Sequence, residues 1–284
     1  MVLTQPTLIK CIIEAVGLDP NDKKQRTYDL PATKPILQKD TGGAEALGTF
    51  NYRSVIGMLN FLTRSTRPEL AFAVHQCARF MTNPKKCHER AIYRIVRYLM
   101  GTQDKGMIIK PKNESFICYV DADFSGGYHK GHTHDPDTAK SRTGYVIMYN
   151  GCPILWNSKL QSEITLSTTE AEYVALSQAL REVIPMIELV KEIQNKCPTV
   201  QWAKPIVKCK VFEDNSGALE LANTPKLRPR TKHINIKYHH FRSHIEKKTI
   251  SISKIDTKDQ IADIFTKPLE KKLFIPLRRQ LQGW

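Results

Sequence analysis

The hydrophobic pattern changes its period near residue 114, and this change limits the possible folds more than any other feature of the sequence. Upstream of it, apolar residues recur at the helical spacing of three and four residues, as in 52–62. Downstream, the segments 116–120, 143–149 and 154–160 resemble strands, and Asn150-Gly151 between the last two is typical of a hairpin turn. We therefore expect helices first, followed by a sheet that begins as a hairpin meander.

The rest of the pattern alternates between helices and strands. We expect helices at 168–183, at 184–195, from Asn215, over 233–247, from Lys258 and near Leu269, and strands at 206–212 and 249–255. A meander that is followed by such alternation predicts an α/β fold, in which a mixed sheet is flanked by helices. A mostly helical region precedes it, with helices at 52–62, from Pro68 and over 88–100.

Charge and turn signals divide the chain into three segments. Residues 1–48 carry no net charge and end in a stretch rich in Pro, Gly and Asp, which indicates an extended connector. Residues 49–113 are the helical segment and carry a net charge of +9, and residues 114–284 contain the sheet. The total charge of +15 favours a polyanionic partner. Nucleic acid is the first expectation for such a partner, although charge alone does not identify it.

Two classes of protein are not expected. No stretch approaches the roughly 20 apolar residues that a membrane-spanning helix needs. The N-terminus has no basic segment leading into an apolar run, so a secretory signal is not expected. The seven cysteines are scattered without a C-x-x-C pair. This pattern favours a reduced intracellular compartment over a disulfide framework or a zinc ribbon.

Two groups of basic residues are candidates for binding nucleic acid. On the expected helix 88–100, Arg90, Arg94 and Arg97 form a stripe at i, i+4 and i+7. This stripe is either a solvated face or a track along a phosphate backbone, and the sequence leaves both interpretations open. A second group of closely spaced cations matches a phosphate backbone better than a base edge: Arg228, Arg230 and Lys232.

A loop with three histidines raises the question of a zinc site. Zinc would need three or four ligands that converge in tetrahedral geometry. His129, His132 and His134 lie in a Gly-rich polar loop without helix or strand spacing, so we interpret this loop as a surface insertion. Three histidines of the basic helical region are expected to contact phosphate or to pack: His233, His239 and His240.

Acidic residues follow two of the expected strands. Asp121 comes directly after 116–120, and Asp214 follows 206–212. Carboxylates at the ends of adjacent strands converge on one sheet edge, where a hard cation could bridge them. Near the C-terminus, a capping box at 257–260 would place Asp263 in the second turn of a helix, on one face with Asp259. The alternative for each residue is ordinary capping or helix polarity.

Helix geometry separates two glutamates in the expected helix 168–183. Residues i and i+2 lie about 200° apart around a helix, so only one of them can face the sheet. Glu172 shares its face with small and apolar residues, which suits close packing on a sheet. Glu170 has more polar neighbours on its face and is expected to be a first-turn residue behind a Ser167 or Thr168 cap. We therefore choose Glu172 as the candidate ligand.

An ordered set of motifs resembles one known family. The motifs are YVDADFSG at 119–126, SRTGY at 141–145, LSTTEAEY at 166–173, EDNSGAL at 213–219, RTKHINI at 230–236 and DQIADIFTK at 259–267. Together they resemble the ribonuclease H domain of copia-type LTR retrotransposon polyproteins. Upstream, YRSVIGMLN at 52–60, TRPEL at 66–70 and RYLMGT at 97–102 are similar to the segment that links polymerase to ribonuclease H in these elements. The opening LTQPTLIKC at 3–11 is similar to the stretch after the polymerase palm.

The resemblance implies a fold and a chemistry. It implies an α/β ribonuclease-H-like domain over 114–284, a helical connection region over 49–113, and the end of a polymerase thumb-like segment with its connector over 1–48. The implied activity is endonucleolytic hydrolysis of the RNA strand of RNA–DNA hybrids with two Mg²⁺ ions, for which Mn²⁺ can substitute. The hybrid would be recognised by shape and 2′-OH contacts. The polymerase portion of the same polyprotein is the second implied partner, in a cytoplasmic virus-like particle or the nucleus.

The family pattern also implies roles for the acids. Asp121 would bridge both cations, and Glu172 and Asp214 would hold the cation that aligns the scissile phosphate and stabilises the leaving oxygen. Asp263 would help to hold the cation that activates water. The sequence 119–123 resembles a polymerase Tyr-x-Asp-Asp signature, but Ala122 separates its aspartates, so we interpret it as the first nuclease strand.

The chain also departs from the family pattern in two ways. The polymerase palm and fingers are missing, so no polymerase active site is expected in this chain. The stretch 251–260 lacks the histidine that many ribonucleases H carry before the last aspartate, so proton transfer to the leaving group would fall to water or another side chain. Two alternatives therefore remain open. One alternative to the implied nuclease is a non-catalytic nucleic-acid-binding remnant, and the other is a structural subdomain that is active only within a full polymerase.

Overall fold

The computed structural model describes residues 1–22, 24–40, 42–112, 115–128, 135–197, 207–224 and 239–284. They belong to two compact units. The first unit contains 1–109, 126–139 and 267–284, and the second contains 110–125 and 140–266. The division into 1–48, 49–113 and 114–284, which follows charge and hydrophobic period, stays a prediction.

The regular elements follow one another in a mixed order. They are β1 Val2–Leu3, α1 Pro6–Ala15, α2 Tyr52–Ser65, α3 Ala71–Ala78, α4 Lys86–Met100, β2 Met107–Ile108, β3 Phe116–Asp123, β4 Arg142–Tyr149, β5 Cys152–Leu160, α5 Thr168–Lys196, β6 Cys209–Glu213, α6 Ser216–Asn223, α7 Arg242–Glu246, β7 Ile250–Lys254, α8 Asp263–Thr266 and α9 Lys271–Gln282. Short 3₁₀ helices lie at Pro68–Leu70, Pro136–Thr138 and Thr257–Asp259. Within the described ranges, no helix has the length and apolarity needed to cross a membrane.

The first unit consists mainly of amphipathic helices, as the sequence predicts for 52–62 and 88–100. Asn51 caps α2, because its side chain accepts a hydrogen bond from the backbone N–H of Ser54 at 3.0 Å. The apolar residues of α4 are all buried at the predicted helical spacing: Ile92, Ile95, Val96 and Leu99. The helix α9, near the end of the chain, also belongs to this unit.

The second unit is built on a five-stranded sheet in the order β5-β4-β3-β6-β7. The strands β5, β4 and β3 pair antiparallel, while β6 is parallel to β3 and β7 is parallel to β6. Between β4 and β5, Asn150 and Gly151 have positive φ angles of 51° and 73°, which suits a hairpin turn. The predicted fold class, a ribonuclease-H-like mixed sheet with flanking helices, is confirmed.

The helix α5 covers one face of this sheet, over β3 and β4. Its sheet-facing residues are small or apolar and are fully buried: Ala171, Ala175, Leu176, Ala179 and Val183. Small side chains let the helix approach the strands closely, and Val120 of β3 and Ile147 of β4 complete the same core. This close packing places the second turn of α5 next to the C-terminal end of β3.

The structure corrects the expected break between 168–183 and 184–195. One helix runs through both segments, with Pro185 inside it. Proline normally disrupts a helix, because it lacks an N–H and clashes with the preceding turn. Pro185 lies on the exposed side, whereas Val183 and Ile187 on either side of it are buried. The lost hydrogen bond therefore faces water, and the continuous apolar face keeps the helix on the sheet.

The structure also corrects the expected helix that would place Asp263 in its second turn. A 3₁₀ helix, Thr257–Asp259, ends at Gln260, and α8 begins separately at Asp263. Gln260 has an extended backbone and is fully buried, and its side-chain Nε2 donates to the carbonyl of Val120 at 2.8 Å. This bond ties the chain to β3 and interrupts the helix. Asp259 and Asp263 therefore do not share a helix face.

Two other expected elements lie partly outside the described residues. The strand 206–212 is described from 207 and forms β6 from Cys209 onwards. The helix 233–247 is described only from 239, where α7 spans Arg242–Glu246. The expected strand 249–255 and the expected helix from Asn215 are confirmed as β7 and α6.

A buried ion pair lies in the core of the first unit. The side chains of Arg67 and Glu69 are both fully buried, and their Nε and Oε1 atoms are 2.7 Å apart. The guanidinium also donates to the carbonyl and the hydroxyl of Thr102, at 3.1 and 2.7 Å. Its Cζ lies 5.6 Å from the ring centroid of Tyr98 and 5.2 Å from that of Trp284. Hydrogen bonds thus replace the water that the guanidinium loses, whereas Oε2 of Glu69 is buried with no hydrogen-bond partner among the described residues.

We expect Arg67→Met to lower the free energy of unfolding by about 3–5 kcal/mol, because Glu69 would remain as an unpaired buried charge. Urea denaturation followed by circular dichroism measures this loss. The matched control is Arg64→Met, since Arg64 is exposed near the end of α2, and its effect should stay within about 0.5 kcal/mol. Equal effects of the two substitutions would contradict the prediction.

Candidate functional site

Three acidic side chains meet at one edge of the sheet. Asp121 lies in β3, Glu172 lies in α5, and Asp214 directly follows β6. Each offers one carboxylate oxygen, and these atoms all lie within 4.8 Å of one another. Asp121 and Glu172 are 2% and 6% exposed, and Asp214 is half-buried. The structure therefore brings together three of the four acids that the sequence suggests as metal ligands.

The strand register explains why two of these acids meet. The strands β3 and β6 are parallel neighbours, and Tyr119 pairs with Phe212. Asp121 and Asp214 each lie two residues beyond this pair, so they occupy equivalent positions at the same end of the sheet. The predicted convergence of the two carboxylates is therefore observed, although Asp121 lies inside β3, which extends to Asp123, and not after it.

The N-terminal turn of α5 separates the roles of its two glutamates. The N–H of Leu166 donates to the carboxylate of Glu170 at 2.7 Å, and the N–H of Glu170 donates to Oγ of Ser167 at 3.1 Å. Ser167 therefore caps α5 and Glu170 lies in the first turn, as the sequence predicts, while the Glu170 carboxylate accepts from the residue before the cap. Glu172 instead faces the sheet, where its carboxylate is hydrogen bonded to the backbone of Ala122.

The segment around α8 contacts the site through Asp121. The hydroxyl of Thr266 donates to a carboxylate oxygen of Asp121. Asp263, at the first position of α8, is buried at 2% exposure, but it is not part of the group of three converging carboxylates. Its role as a fourth metal ligand stays a prediction.

Gly144 allows this segment to lie close to the sheet. It pairs with Asp121 in the antiparallel register of β3 and β4. A Cβ atom at this position would lie 2.6 Å from Cγ2 of Thr266 and 2.8 Å from Cβ of Phe265. Carbon atoms do not approach so closely, so any side chain at 144 would displace α8 from Asp121.

A further carboxylate, Glu213, was not among the candidates from the sequence. It is the last residue of β6 and is fully buried. Its Oε1 accepts a hydrogen bond from the N–H of Asn215 at 3.1 Å, while its Oε2 is buried with no hydrogen-bond partner among the described residues. The alternation of buried positions 209, 211 and 213 along β6 is the sequence signal that could have revealed it.

Burial and mutual repulsion determine the electrostatics of the cluster. Burial raises the pKa of Glu172 well above its ordinary value, and the nearby Glu213, Asp121 and Asp214 raise it further. Burial also raises the pKa of Glu213 well above its ordinary value, with a contribution from Asp214 and Asp121. Both carboxyl groups resist ionisation, because a second charge in this poorly solvated volume would be repelled by the first.

The donor set fits a hard divalent cation. Mg²⁺ and Mn²⁺ prefer oxygen ligands, and carboxylates supply both oxygen atoms and negative charge. Oε2 of Glu172 is buried and has no hydrogen-bond partner in the described part of the chain. A cation among Asp121, Glu172 and Asp214 would pair this atom and offset the repulsion that raises the pKa of Glu172.

The candidate basic residues are only partly described. Arg90, Arg94 and Arg97 all line a cavity of about 550 Å³ in the first unit. Arg90 is exposed, and the other two are half-buried, so the stripe is not a uniformly solvated face. The second basic group and the histidine loop lie outside the described residues: Arg228, Arg230, Lys232, His129, His132 and His134.

Two histidines of the basic region contact α5, His239 half-buried and His240 exposed, and His233 lies outside the described residues. Nδ1 of His239 is 2.7 Å from the hydroxyl of Tyr173, and Nδ1 of His240 is 3.5 Å from the hydroxyl of Ser177. These contacts with α5 agree with packing, one of the two roles expected for these histidines.

No protein-family model matches the chain. The chain is 33% identical over 251 residues to the retrovirus-related Pol polyprotein from transposon RE2 of Arabidopsis thaliana, a match that covers 88% of this chain and 16% of the relative. It is 34% identical over 232 residues to the retrovirus-related Pol polyprotein from transposon TNT 1-94 of Nicotiana tabacum, with 82% of this chain and 16% of the relative covered. The chain thus spans about one sixth of the length of these relatives.

A solved structure also aligns with the chain. It is LC11-RNase H1 in complex with an RNA/DNA hybrid, at 16% sequence identity and a TM-score of 0.34. The alignment covers 54% of this chain and 94% of that chain. The assignment of the fold rests on the strand order and the flanking helices described above.

We expect Glu172→Gln to raise the free energy of unfolding without divalent cations by about 1–3 kcal/mol near neutral pH, because an amide does not have to ionise. The pKa of Glu172 is higher in the folded protein than in the unfolded chain. The unfolded chain therefore loses the carboxyl proton at a lower pH than the folded protein does. Glu172 therefore opposes folding increasingly as the pH rises above the ordinary glutamate pKa, and the gain from the substitution should shrink towards about pH 4. Urea denaturation at several pH values, with a chelator present, measures the gain.

The matched control is Glu170→Gln, two residues away. Its amide oxygen can still accept a hydrogen bond from the N–H of Leu166, so we expect a change within about 0.5 kcal/mol at every pH. A loss of stability in Glu172→Gln near neutral pH, or a gain that does not depend on pH, would refute the electrostatic assignment.

Proposed function

This chain belongs to the family of retrovirus-related Pol polyproteins of copia-type transposons, and from that premise we propose that it hydrolyses the RNA strand of RNA–DNA hybrids as a ribonuclease H-type endonuclease. The observation that carries the proposal is the convergence of Asp121, Glu172 and Asp214 within 4.8 Å at one edge of the sheet. Three carboxylates held together, two of them buried, are costly for folding, which favours a functional origin for them.

Two divalent cations, Mg²⁺ in the first instance, are the cofactors in this proposal. When bound, they would activate water and stabilise the charge that develops on the leaving oxygen. Asp121, Glu172 and Asp214 would hold them, with Asp263 as the fourth ligand carried over from the family pattern. The chain itself supplies carboxyl oxygens at fixed positions, and the hydrogen bond from Thr266 orients the carboxylate of Asp121.

Other residues fix the positions of these ligands. Gln260 joins the segment that leads into α8 to the carbonyl of Val120, next to Asp121 in β3. The hydroxyl of Thr257 donates to Oδ2 of Asp214 at 3.1 Å. The carboxyl group of Glu213 is near Asp121 and Asp214, and burial raises its pKa. We propose that these residues position the ligands and that none of them contacts the substrate.

The proposed substrate is held through its backbone. Hybrid duplexes are recognised by shape, phosphate and 2′-OH contacts, which suits a chain with a net charge of +15. The arginines Arg90, Arg94 and Arg97 are the described candidates for phosphate contacts. The polymerase portion of the polyprotein is the proposed protein partner, and a cytoplasmic virus-like particle or the nucleus is the proposed location.

The pure chain should cleave the RNA strand of a labelled hybrid with Mg²⁺ or Mn²⁺, and Asp121→Asn, Glu172→Gln and Asp214→Asn should each reduce the rate by at least about 100-fold. An amide keeps the shape of the side chain but removes a charge that the cations need. Denaturing gel electrophoresis of an end-labelled RNA strand gives the rate, and circular dichroism verifies the fold of each variant.

Glu170→Gln is the control, since the Glu170 carboxylate accepts from the N–H of Leu166 and does not face the cluster. It should retain nearly the full rate. If Glu170→Gln is the inactive variant, the choice of helix face is wrong. If the wild-type chain binds hybrids without cutting them, the chain is a non-catalytic binding module. If it cuts only after the polymerase portion is added, it is a subdomain of a larger enzyme.

Binding of the hybrid should weaken steeply with salt, with a log–log slope of roughly −5 if about six phosphates are neutralised. Replacing Arg90, Arg94 and Arg97 together by Gln should reduce this slope by about 2–3, because up to three phosphate contacts would be lost. Fluorescence anisotropy with a labelled hybrid over a series of KCl concentrations measures both slopes.

The control replaces three exposed cations elsewhere on the first unit, Lys10, Arg53 and Arg64, by Gln. It removes the same net charge, so it separates local contacts from overall charge. We expect the control to keep a slope closer to that of the wild-type chain. Equal slopes for both triple variants would mean that the α4 arginines do not contact phosphate.

A further inference from the structure

The first unit contains a cavity that is lined by cations, and no described residue of its wall is acidic. We call it the α4 cavity; it has a volume of about 550 Å³ and is formed by Tyr28, the segment 31–37, α3 and α4. Within the described part of the chain, the charged residues of its lining are all basic: Lys34, Arg90, Arg94 and Arg97. Clustered cations repel one another unless an anion joins them, so the lining favours an anionic ligand.

Two buried polar atoms of the lining have no hydrogen-bond partner in the described ranges. They are Nε of Arg97, which can only donate, and Oε1 of Gln76, which can only accept. Gln76 is 4% exposed, so water has little access to it. A buried polar atom without a partner costs about 1–3 kcal/mol, and such atoms in a cavity wall indicate where a ligand binds. The ligand would need both an acceptor and a donor.

The remainder of the wall is aromatic and apolar. The guanidinium carbon of Arg94 lies 4.3 Å from the ring centroid of Tyr28. Phe72, Ala73 and Ile95 are further wall residues. A volume of about 550 Å³ falls within the range of roughly 300–1,000 Å³ that small-molecule sites occupy. The cavity therefore offers space for a flat apolar group in addition to an anion.

We propose that the α4 cavity binds a nucleoside phosphate. The arginines would hold the phosphate, Arg97 through its unpaired Nε, and an amino or hydroxyl group of the nucleoside would donate to Oε1 of Gln76. An inorganic anion would leave Gln76 and the apolar wall without a partner. A paired duplex would keep its bases stacked inside the helix, away from such a cavity. The ligand is thus either a free mononucleotide or an unpaired nucleotide of a strand, and binding it does not require hydrolysis at the acidic cluster.

Isothermal titration calorimetry of the full chain with AMP, adenosine and inorganic phosphate tests the proposal. We expect AMP to bind at least about tenfold more tightly than either fragment, because only AMP uses both the arginines and Gln76. Binding of inorganic phosphate as tightly as AMP would reduce the cavity to a plain anion site and overturn the proposal. Absence of AMP binding at millimolar concentrations would also overturn it.

Three variants identify the site. Gln76→Leu, which is similar in size but has no acceptor, should weaken AMP binding about tenfold and leave phosphate binding unchanged. Arg97→Gln should weaken both, and Arg64→Gln, an exposed control outside the cavity, should weaken neither. If Gln76→Leu does not fold, the comparison of Arg97→Gln with Arg64→Gln still decides whether AMP occupies this cavity. Equal AMP affinity of these two variants would overturn the proposal.

A competition experiment distinguishes the two sources of the nucleotide. A short single-stranded oligonucleotide with a 5′ phosphate is titrated against AMP-saturated protein. If it displaces AMP and binds more tightly, the cavity takes an unpaired nucleotide of a strand. If AMP stays bound, the cavity takes a free mononucleotide. Either result leaves the proposed hydrolysis untouched, since cleavage is measured separately at Asp121, Glu172 and Asp214.

Discussion

Repulsion among carboxylates at the edge of the sheet is the constraint on which the second unit depends. Asp121 and Glu172 are almost fully buried, and Glu213 is completely buried beside them. Charges of the same sign repel more strongly in a poorly solvated interior than in water, so the unbound fold bears a cost there. Burial and neighbouring carboxylates accordingly raise the pKa of Glu172. The surrounding structure has to hold these groups together against a force that separates them.

The restraint comes from elements that are distant in sequence. β3 and β6 supply Asp121 and Asp214 at matching positions, and hydrogen bonds within the sheet fix their distance. The segment before α8 is tied to β3 through Gln260, and Thr266 holds the carboxylate of Asp121. Gly144 leaves the space that this approach needs. A satisfied polar network restrains the groups that it joins. The carboxylates are therefore held in position without a bound cation.

Much of this arrangement follows from local sequence rules. The hairpin at Asn150-Gly151, the cap at Ser167 and the inward face of Glu172 all depend on residues within a few positions of one another, and the structure agrees with each. The failures have a different origin. The helix expected to run past Gln260 is interrupted by a hydrogen bond to Val120, which lies 140 residues away along the chain. The alternation along β6 marks Glu213 as facing inward, but its proximity to Glu172 depends on how α5 packs on the sheet, which no local pattern predicts.

The two units differ in what surrounds these buried carboxylates: a guanidinium beside Glu69 in the first unit, and further carboxylates beside Glu172 and Glu213 in the second. In the first unit, Arg67 meets Glu69 and the hydroxyl and carbonyl of Thr102, so a fully buried cation is neutralised inside the protein. In the second unit, Oε2 of Glu172 and of Glu213 are buried without a partner among the described residues. Oε2 of Glu69 in the first unit also lacks a hydrogen-bond partner within the described ranges, but that carboxylate faces a buried guanidinium, whereas Glu172 and Glu213 have acidic neighbours. A cation from solution would offset the cost of holding these acidic groups together, which favours the metal-binding role proposed for the acidic cluster.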